Sequence, residues 1–472
     1  MHWEISNQPM GSSDYIAAYY VDPDWGSDLN PGTSDRPFKT IQKSVEVAAA
    51  NSNDGNQILL QGGTYNLTQP LEINTTGGTA DAFLSIQPVP GEKAILDGSL
   101  IEQYRSLIDI RDVRRVNIIG LEIRNAPSHG IEVVNGKQIN IVGNLIYQTQ
   151  GMGIRVRGYT GENLQFEADS SVQSSDIVIE NNGVYQTNLS NSGSNKGVDN
   201  WGAGIQAWNA DDVVIVNNTV GENYGEGIGL TLVDDGVVAN NRLYNNFSAQ
   251  IYLDNVRESI VENNFIYNTG DRRFYRDDLP AHGLALGNEI HNVAEAEEYY
   301  LNDNLIRRNV IVGADSGIIY GTWAGTHQDQ ATNNFQGLRN TQIINNTVVD
   351  SQSYSIQFYR DSNTEDVLVA NNIFFQQSDR NESAIDRLTG VNFGRNLWFG
   401  EDAGMSSNPE DIYADPLLAN PDGRDLADYQ LLPDSPAIDV VLENESYWIT
   451  DNQGDLGALE FGEPGFEPGD IV

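Results

Sequence analysis

The sequence predicts an all-β protein whose short strands wind into a stack of parallel coils, a parallel β-helix with a capping helix at its N-terminal end. Three observations support this prediction. Two short motifs recur along the chain at a constant step. The 46 glycines and the repeated Asn pairs suit strands that are joined by tight turns. A short amphipathic segment stands just before the first predicted strands.

The first motif is a six-residue segment with apolar side chains at its third and fifth positions. Its copies begin at His129 and Met152, and again at Ala203, Glu226 and Ala249, so neighbouring starts within each group are separated by the same step. A step of about 23 residues is typical of proteins built from stacked repeats. The eight copies read HGIEVV, MGIRVR, AGIQAW, EGIGLT, AQIYLD, HGLALG, SGIIYG and YSIQFY. Because side chains alternate across a strand, the fourth and sixth positions should point outward, and we expect the eight segments to stack in one sheet.

The second motif is a pair of asparagines between apolar residues, as in IENNGV, ANNRL and ENNFI. Asn217, Asn240 and Asn263 keep the same step as the first motif. One repeat cannot bury its own apolar face, so the repeats must stack on one another. Asparagine tolerates the left-handed conformation of tight turns and can hydrogen bond along a ladder. We therefore interpret the Asn pairs as structural.

The motifs also suggest how the chain is divided. Residues 37–50 form the amphipathic segment, which we expect to cap the open N-terminal end of the stack. We predict an N-terminal extension over residues 1–18, the β-helix over 19–400 and a C-terminal segment packed on it over 401–461. Residues 462–472 are rich in Pro, Gly and acidic residues and are predicted to be a disordered tail.

Composition excludes several classes of protein. The chain has 67 acidic and 26 basic residues, and its net charge of −41 disfavours binding to nucleic acid or to anionic membranes. No apolar run is long enough to span a membrane. The absence of cysteine excludes disulfides and thiolate metal sites. The first fifteen residues lack the apolar core of a signal peptide, so we expect any export signal to be missing from this chain. We also expect a monomer.

Both ends of the chain resemble a known family. The segments YYVDPDWGSDLNPGTSDRPFKTIQKSV (19–45), ADPLLANPDGRDLADYQLLPDSPAIDV (414–440) and GDLGALEF (454–461) resemble secreted pectate-lyase-like β-helix proteins, including family 9 polysaccharide lyases. This resemblance implies right-handed coils, secretion, a groove along one parallel sheet, no organic cofactor, and often Ca²⁺ with a Lys or Arg base. The chain departs from the last feature, because none of its lysines lies in an aligned groove strand: Lys39, Lys43, Lys93, Lys137 and Lys196.

The outward positions supply the candidate site residues. In the middle copies they are polar or aromatic, with glycines that leave room for a ligand. Insertions after several of these strands should form walls beside the outward face, which would make a cleft. We predict four catalytic residues: Arg155, Tyr252, Asp254 and His282. We predict ten substrate-binding residues: Arg157, Lys196, Asp199, Trp201, Gln206, Trp208, Glu226, Arg273, Arg276 and Trp323.

Several of these residues have a structural alternative. Arg155 and Arg157 could neutralise an acidic surface, Tyr252 could be a ladder residue, and His282 could cap its strand. Glu226 stands five residues along the register from Asp254. At about 3.3 Å per residue, this spacing predicts that the two are too far apart to act as a glycosidase carboxylate pair.

Three functions are compatible with these features. The leading hypothesis is a polysaccharide lyase that cleaves a uronate-containing chain by β-elimination, with the arginines binding the uronate carboxylate and Tyr252 or His282 as base. The second is a glycoside hydrolase that uses Asp254 with Asp199 or Glu289. The third is a carbohydrate-binding or adhesin β-helix without enzymatic activity. All three predict a polysaccharide or oligosaccharide as partner, with Ca²⁺ as a cofactor only by resemblance.

Overall fold

The computed structural model describes residues 15–50, 55–74, 83–158, 173–193, 202–289, 301–321, 337–358, 364–380, 389–441 and 454–469. Within these ranges nearly all regular structure is parallel β-sheet, as predicted. One α-helix, α1 (Ile41–Ala50), packs against the first strands. No helix among the described residues is long and apolar enough to cross a membrane.

The strands follow one another in short steps along the chain. The first part contains β1 (Tyr15–Val21), β2 (Gly55–Leu60), β3 (Gly63–Asn66), β4 (Leu71–Ile73), β5 (Leu84–Pro88), β6 (Ala94–Asp97), β7 (Ile108–Arg111), β8 (Arg114–Ile119), β9 (Glu122–Arg124), β10 (Ile131–Val134), β11 (Lys137–Val142), β12 (Leu145–Tyr147), β13 (Ile154–Arg157), β14 (Ser174–Glu180) and β15 (Gly183–Tyr185). The middle contains β16 (Ala203–Val216), β17 (Thr219–Gly221), β18 (Glu226–Ala239), β19 (Arg242–Tyr244), β20 (Ala249–Asp254), β21 (Ile260–Glu262), β22 (Phe265–Tyr267), β23 (His282–Gly287), β24 (Leu301–Asn302), β25 (Leu305–Arg307), β26 (Val310–Val312) and β27 (Ser316–Gly321). The last part contains β28 (Leu338–Arg339), β29 (Gln342–Ile344), β30 (Thr347–Val349), β31 (Tyr354–Phe358), β32 (Thr364–Glu365), β33 (Val367–Ala370), β34 (Ile373–Arg380), β35 (Val391–Phe393), β36 (Leu397–Glu401) and β37 (Ile412–Tyr413). Short 3₁₀ turns lie at Leu189–Asn191, Arg272–Phe274, Gly404–Ser406 and Leu426–Tyr429.

The coils have three sides. One side, here called the groove face, pairs β4, β7, β10, β13, β16, β18, β20, β23, β27 and β31 in that order. The long strands β16 and β18 bend and continue into the second side. The third side is a separate sheet that runs from β3 to β37.

The register of the groove face confirms the predicted stacking of the eight segments. Ile205 pairs with Ile228, and Ile228 pairs with Ile251. All three side chains are fully buried, so the third position of the motif points inward as alternation requires. The buried Ile, Val and Leu ladders of all three sides meet in one continuous core.

The two asparagines of each pair have different structural roles. The first residue takes the left-handed conformation, as at Asn217 (φ 58°) and Asn240 (φ 55°). The second residue is fully buried, and its Oδ1 accepts the backbone N–H of its counterpart one coil earlier. The N–H of Asn218 donates to Asn241, and that of Asn241 donates to Asn264, at 2.9 and 3.0 Å. The interpretation of the pairs as structural agrees with these contacts.

The ends of the stack differ from the sequence prediction in two details. Strand β1 begins at Tyr15, within the predicted N-terminal extension. The described part of the predicted disordered tail lies against the third side. There the backbone N–H of Gly469 donates a hydrogen bond to the carbonyl of Asn240, and the carbonyl of Gly469 accepts one from the hydroxyl of Thr219. Phe466 packs on an apolar cluster formed by the third side and the C-terminal segment. Phe466 and Gly469 therefore attach this segment to the third side through contacts that composition does not reveal.

Candidate active site

A groove of about 740 Å³ crosses the outer surface of the groove face from β13 to β23. It is lined by residues of five successive coils and of the loops beside them: Tyr104, His129, Gly151, Met152, Arg155, Asn188, Ser190, Gly202, Gln206, Trp208, Glu226, Thr231, Ser248, Ala249, Tyr252, Asp254, Arg276, His282, Ala285 and Glu289. Its long direction therefore runs across the strands. A chain-like ligand lying in it would meet one coil after another.

Glu226 lies in the middle of the groove, at the start of β18. Its side chain leans along the strand, because Gly229 offers no side chain at the next outward position. A Cβ built on Gly229 would stand 2.9 Å from Oε2 of Glu226. Burial raises the pKa of Glu226 well above its usual value, and the nearby negative charges of Glu289 and Asp254 raise it further. Glu226 is therefore a carboxylic acid that keeps its proton at higher pH than an ordinary glutamate.

Asp254 and Glu289 share this part of the groove. Oδ1 of Asp254 accepts the backbone N–H of Glu289 at 2.8 Å and Nδ2 of Asn255 at 3.0 Å. These donors fix the carboxylate and suit a negative charge. Both side chains line the groove, and the charge of Asp254 contributes to the raised pKa of Glu226. The sequence-based prediction that they are too far apart for a glycosidase pair counted residues along the strand, and it did not include the position of Oε2 of Glu226 over Gly229.

Tyr252 lines the same groove as these acids and is almost completely buried. Its hydroxyl donates to Oε1 of Glu289 at 3.0 Å. Burial and the charges of Asp254 and Glu289 raise the pKa of the phenol well above 10, so Tyr252 keeps its proton and is a poor base. Gly287 makes room for the ring, because a Cβ there would stand 2.4 Å from the phenol oxygen. The environment suits Tyr252 as a hydrogen-bond donor, in contrast to the base expected from the sequence.

Arg155 occupies the N-terminal end of the groove beside His129. Nη1 of Arg155 lies 3.2 Å from Nε2 of His129 and 3.7 Å from Oε1 of Glu132. Burial and the charge of Arg157 lower the pKa of Arg155 to about 10, so the guanidinium stays charged at neutral pH.

The column from Arg155 through Gln206 and Gly229 to Tyr252 crosses three strand spacings. At about 4.8 Å per spacing, Arg155 is roughly 14 Å from Tyr252 and cannot act on the same sugar.

His282 lines the C-terminal end of the groove. Its Nδ1 lies 3.5 Å from Oδ2 of Asp315. Burial lowers the pKa of His282, the charge of Asp315 opposes this change, and the charge of Arg276 adds to it. A neutral imidazole next to Arg276 could accept a proton at neutral pH.

The groove brings together eight of the predicted site residues: Arg155, Gln206, Trp208, Glu226, Tyr252, Asp254, Arg276 and His282. Arg157 is turned aside, and its Nη2 lies 2.9 Å from Oε1 of Glu132. Arg273 is exposed and pairs with Asp271 outside the groove lining. Lys196, Asp199, Trp201 and Trp323 lie outside the described residues.

Twelve of the twenty groove-lining residues were not among the predicted site residues, and His129 and Tyr104 are two of these twelve. His129 occupies the first position of its motif copy, as His282 does, and this shared position was the available signal. Tyr104 lies on a loop outside the repeat, so alternation gave no signal for it. Within the described ranges, no set of three His, Asp or Glu side chains is arranged to hold a metal ion. Ca²⁺ binding remains an expectation from the family resemblance.

Comparison with known proteins supports the resemblance. Residues 19–176 match a family model described as the Pel9A-like, right-handed β-helix region. The pectate lyase PEL9 of Emericella nidulans is 32% identical to this chain over 169 residues, which are 33% of this chain and 39% of that protein. The chain thus matches about two fifths of the length of this relative. The resemblance to pectate-lyase-like proteins predicted from the sequence is confirmed.

Solved structures agree on the fold. The crystal structure of pectate lyase Pel9A covers 95% of this chain and 97% of its own, with a TM-score of 0.52 and 17% identity. The lacto-N-biosidase of family GH136 from Eubacterium ramulus covers 80% of this chain and 67% of its own, with a TM-score of 0.53 and 14% identity. At these identities the likeness shows a right-handed parallel β-helix, the fold that the sequence predicted.

Proposed function

We propose that this chain is a glycoside hydrolase that cleaves a polysaccharide lying along the groove. The observation that supports it most is that two carboxyl groups with different environments, Glu226 and Asp254, line the same groove. Glu226 is buried, and its raised pKa suits a proton donor. Asp254 is held by two N–H donors and suits the ionised partner. Such a pair of acids with different environments is what glycosidic bond hydrolysis requires.

The roles follow from the protonation states. Glu226 gives its proton to the oxygen of the departing sugar, which would otherwise leave as an unstable alkoxide. The carboxylate of Asp254 stabilises the positive charge that develops on the sugar ring, either by attacking it or by activating a water molecule. Tyr252 and Glu289 are hydrogen bonded to each other in the groove, and this pair orients the sugar between the two acids. Trp208, which lines the same groove, offers a flat surface to a sugar ring.

Elimination is the second candidate, and a separate observation favours it. The similarity to the pectate lyase PEL9 is a similarity of sequence, and His282 has a lowered pKa and lies near Arg276. In a lyase, Arg276 would bind a uronate carboxylate and His282 would remove the neighbouring proton. This reaction would be centred on β23, at the end of the groove opposite Arg155. The central acids would then have no catalytic part.

One experiment separates hydrolysis, elimination and binding without catalysis. The protein is incubated with a panel of neutral and acidic polysaccharides, and new reducing ends are measured together with the absorbance of unsaturated uronates. Hydrolysis produces only the first signal, elimination produces both, and a binding protein produces neither. Loss of cleavage in Glu226→Gln, with retention in His282→Gln, supports the proposed mechanism, and the reverse pattern contradicts it. From the similarity to the pectate lyase PEL9, we also propose that the protein is secreted, and we propose that it acts as a monomer.

A further inference from the structure

Two hydrogen-bond donors meet at the N-terminal end of the groove. The backbone N–H of Met152 donates to Nδ1 of His129 at 2.9 Å, so the proton of the neutral ring is on Nε2. Burial, followed by the charge of Arg155, lowers the pKa of His129 to about 4, which keeps the ring neutral at neutral pH. Nε2–H and Nη1 of Arg155 are both donors, yet they lie 3.2 Å apart. An acceptor supplied by a ligand would satisfy both.

Arg155 shares its nearest carboxylate, Glu132, with other arginines that lie closer to it. Glu132 has its shorter contacts elsewhere: Oε1 lies 2.9 Å from Nη2 of Arg157, and Oε2 lies 3.2 Å from Nη2 of Arg111. Arg155 is 3.7 Å from the same Oε1, and its Nε is buried without a hydrogen bond. The positive charge of Arg155 is therefore incompletely compensated inside a chain whose net charge is −41. A buried, undercompensated cation costs free energy unless an anion joins it.

The same end of the groove has room for a sugar ring. Tyr104 lines it and is 63% exposed, so its aromatic face is available for stacking. Tyr104 is also close enough to contribute to the pKa of Arg155. Gly151 clears the space beside the imidazole, because a Cβ there would stand 2.7 Å from Nδ1 of His129. An aromatic face next to two convergent donors matches a sugar that has an anionic substituent.

We infer that this end of the groove is a subsite for an acidic sugar, whose carboxylate or sulfate is bound by His129 and Arg155 while its ring stacks on Tyr104. The inference rests on the proposed function, because it places a carbohydrate chain in the groove. It adds a substrate class and a position. Arg155 lies roughly 14 Å from Tyr252 across the strands, so the acidic sugar lies several units away from the bond that is cleaved.

The test is a calorimetric titration of the full chain with three probes. They are an oligosaccharide with one glucuronate, its neutral methyl ester, and a sulfated galactan oligosaccharide. We expect at least one acidic probe to bind about tenfold to hundredfold more tightly than the ester, because the acidic group makes a charge-assisted hydrogen bond that the neutral ester cannot make. Glucuronate binding identifies a carboxylate subsite, and binding of the sulfated probe alone identifies a sulfate subsite. Arg155→Gln should remove the preference, and the control Arg114→Gln, on an exposed part of β8, should keep it.

The variant Arg155→Lys controls for a loss of binding caused by misfolding, because it keeps the positive charge. It should bind the acidic probe more weakly than the wild type and more tightly than Arg155→Gln. Equal affinity of the wild type and Arg155→Gln, or no binding of either acidic probe by the wild type, would overturn the inference. Binding does not require turnover. A protein that binds acidic sugars through Arg155 but cleaves nothing would contradict the proposed function alone, and cleavage without this preference would contradict the subsite alone.

Discussion

A Cβ on Gly229 would stand 2.9 Å from Oε2 of Glu226, so the carboxyl group occupies the space of a missing side chain. We predict that Gly229→Ala folds normally but loses about tenfold or more in kcat, since only the flexible end of Glu226 must move and that end is the proton donor. Thermal unfolding and cleavage rates, measured on the same samples, check this. Gly62→Ala is the control, with the nearest atom 3.3 Å away. Unchanged cleavage by Gly229→Ala would show that the position of the carboxyl group does not matter.

Glu226→Gln should lower kcat by about 10²-fold to 10⁴-fold, because an amide cannot donate the catalytic proton. Its effect on stability should depend on pH. The folded-state pKa of Glu226 is raised, so its contribution to stability is fully present below the unfolded-state pKa and is lost as pH rises through the folded value. Glutamine has no such dependence. The free energy of unfolding of the variant relative to the wild type should therefore increase with pH in denaturant titrations.

The control for the loss of cleavage is Glu222→Gln, which lies outside the groove lining. It should keep the cleavage rate of the wild type. For the wild type, cleavage should decline as pH rises past the raised pKa of Glu226, because the carboxyl group then loses its proton. A rate that keeps increasing through this range would argue against Glu226 as the acid.

Tyr252→Phe should keep the ring in place and remove only the hydroxyl that donates to Glu289 at 3.0 Å. We expect a loss of stability of about 1 kcal/mol, since a half-buried acceptor loses a donor, and a fall of about tenfold in kcat, because Glu289 is then held less firmly. Urea unfolding and steady-state kinetics measure the two effects. If Tyr252 were the catalytic base, the variant would instead lose nearly all cleavage.

The Asn ladder should be a main source of stability. Asn241→Ala leaves the buried N–H of Asn218 without its acceptor and should cost about 2–4 kcal/mol. Asn217→Gly is the matched comparison, because Asn217 supplies only the left-handed turn (φ 58°), which glycine adopts easily. It should cost less than about 1 kcal/mol. Denaturant unfolding of both variants tests the division of tasks within each pair, and equal losses would contradict it.

The repeat determines much of the fold directly from the sequence. The constant step between motif copies predicts from the sequence alone that Ile205, Ile228 and Ile251 are stacked, because a fixed period allows only one register for the inward ladders. The strands pair in this register. Alternation also indicated the outward column that contains Arg155 and Tyr252. It could not indicate that Arg157, in an equivalent outward position, turns toward Glu132. Side-chain direction depends on such neighbours, which period and alternation do not specify.

The central pair of acids shows the same limit. Counting residues along the strands predicted a large distance between Glu226 and Asp254, because such a count treats each side chain as perpendicular to its strand. The carboxyl group of Glu226 lies over Gly229, and this position depends on packing in three dimensions. His129 was missed for a related reason, since its significance comes from the N–H of Met152 and from the guanidinium of Arg155.

Cleavage in water enriched in ¹⁸O tests the central claim most directly. A polysaccharide that the protein degrades is incubated in the labelled water, and the products are examined by mass spectrometry after a short reaction. Hydrolysis by Glu226 and Asp254 predicts that each new reducing end contains one ¹⁸O atom from water and that no unsaturated sugar forms. Products that contain an unsaturated sugar at the cleaved end and no isotope would contradict the account and assign the groove to elimination.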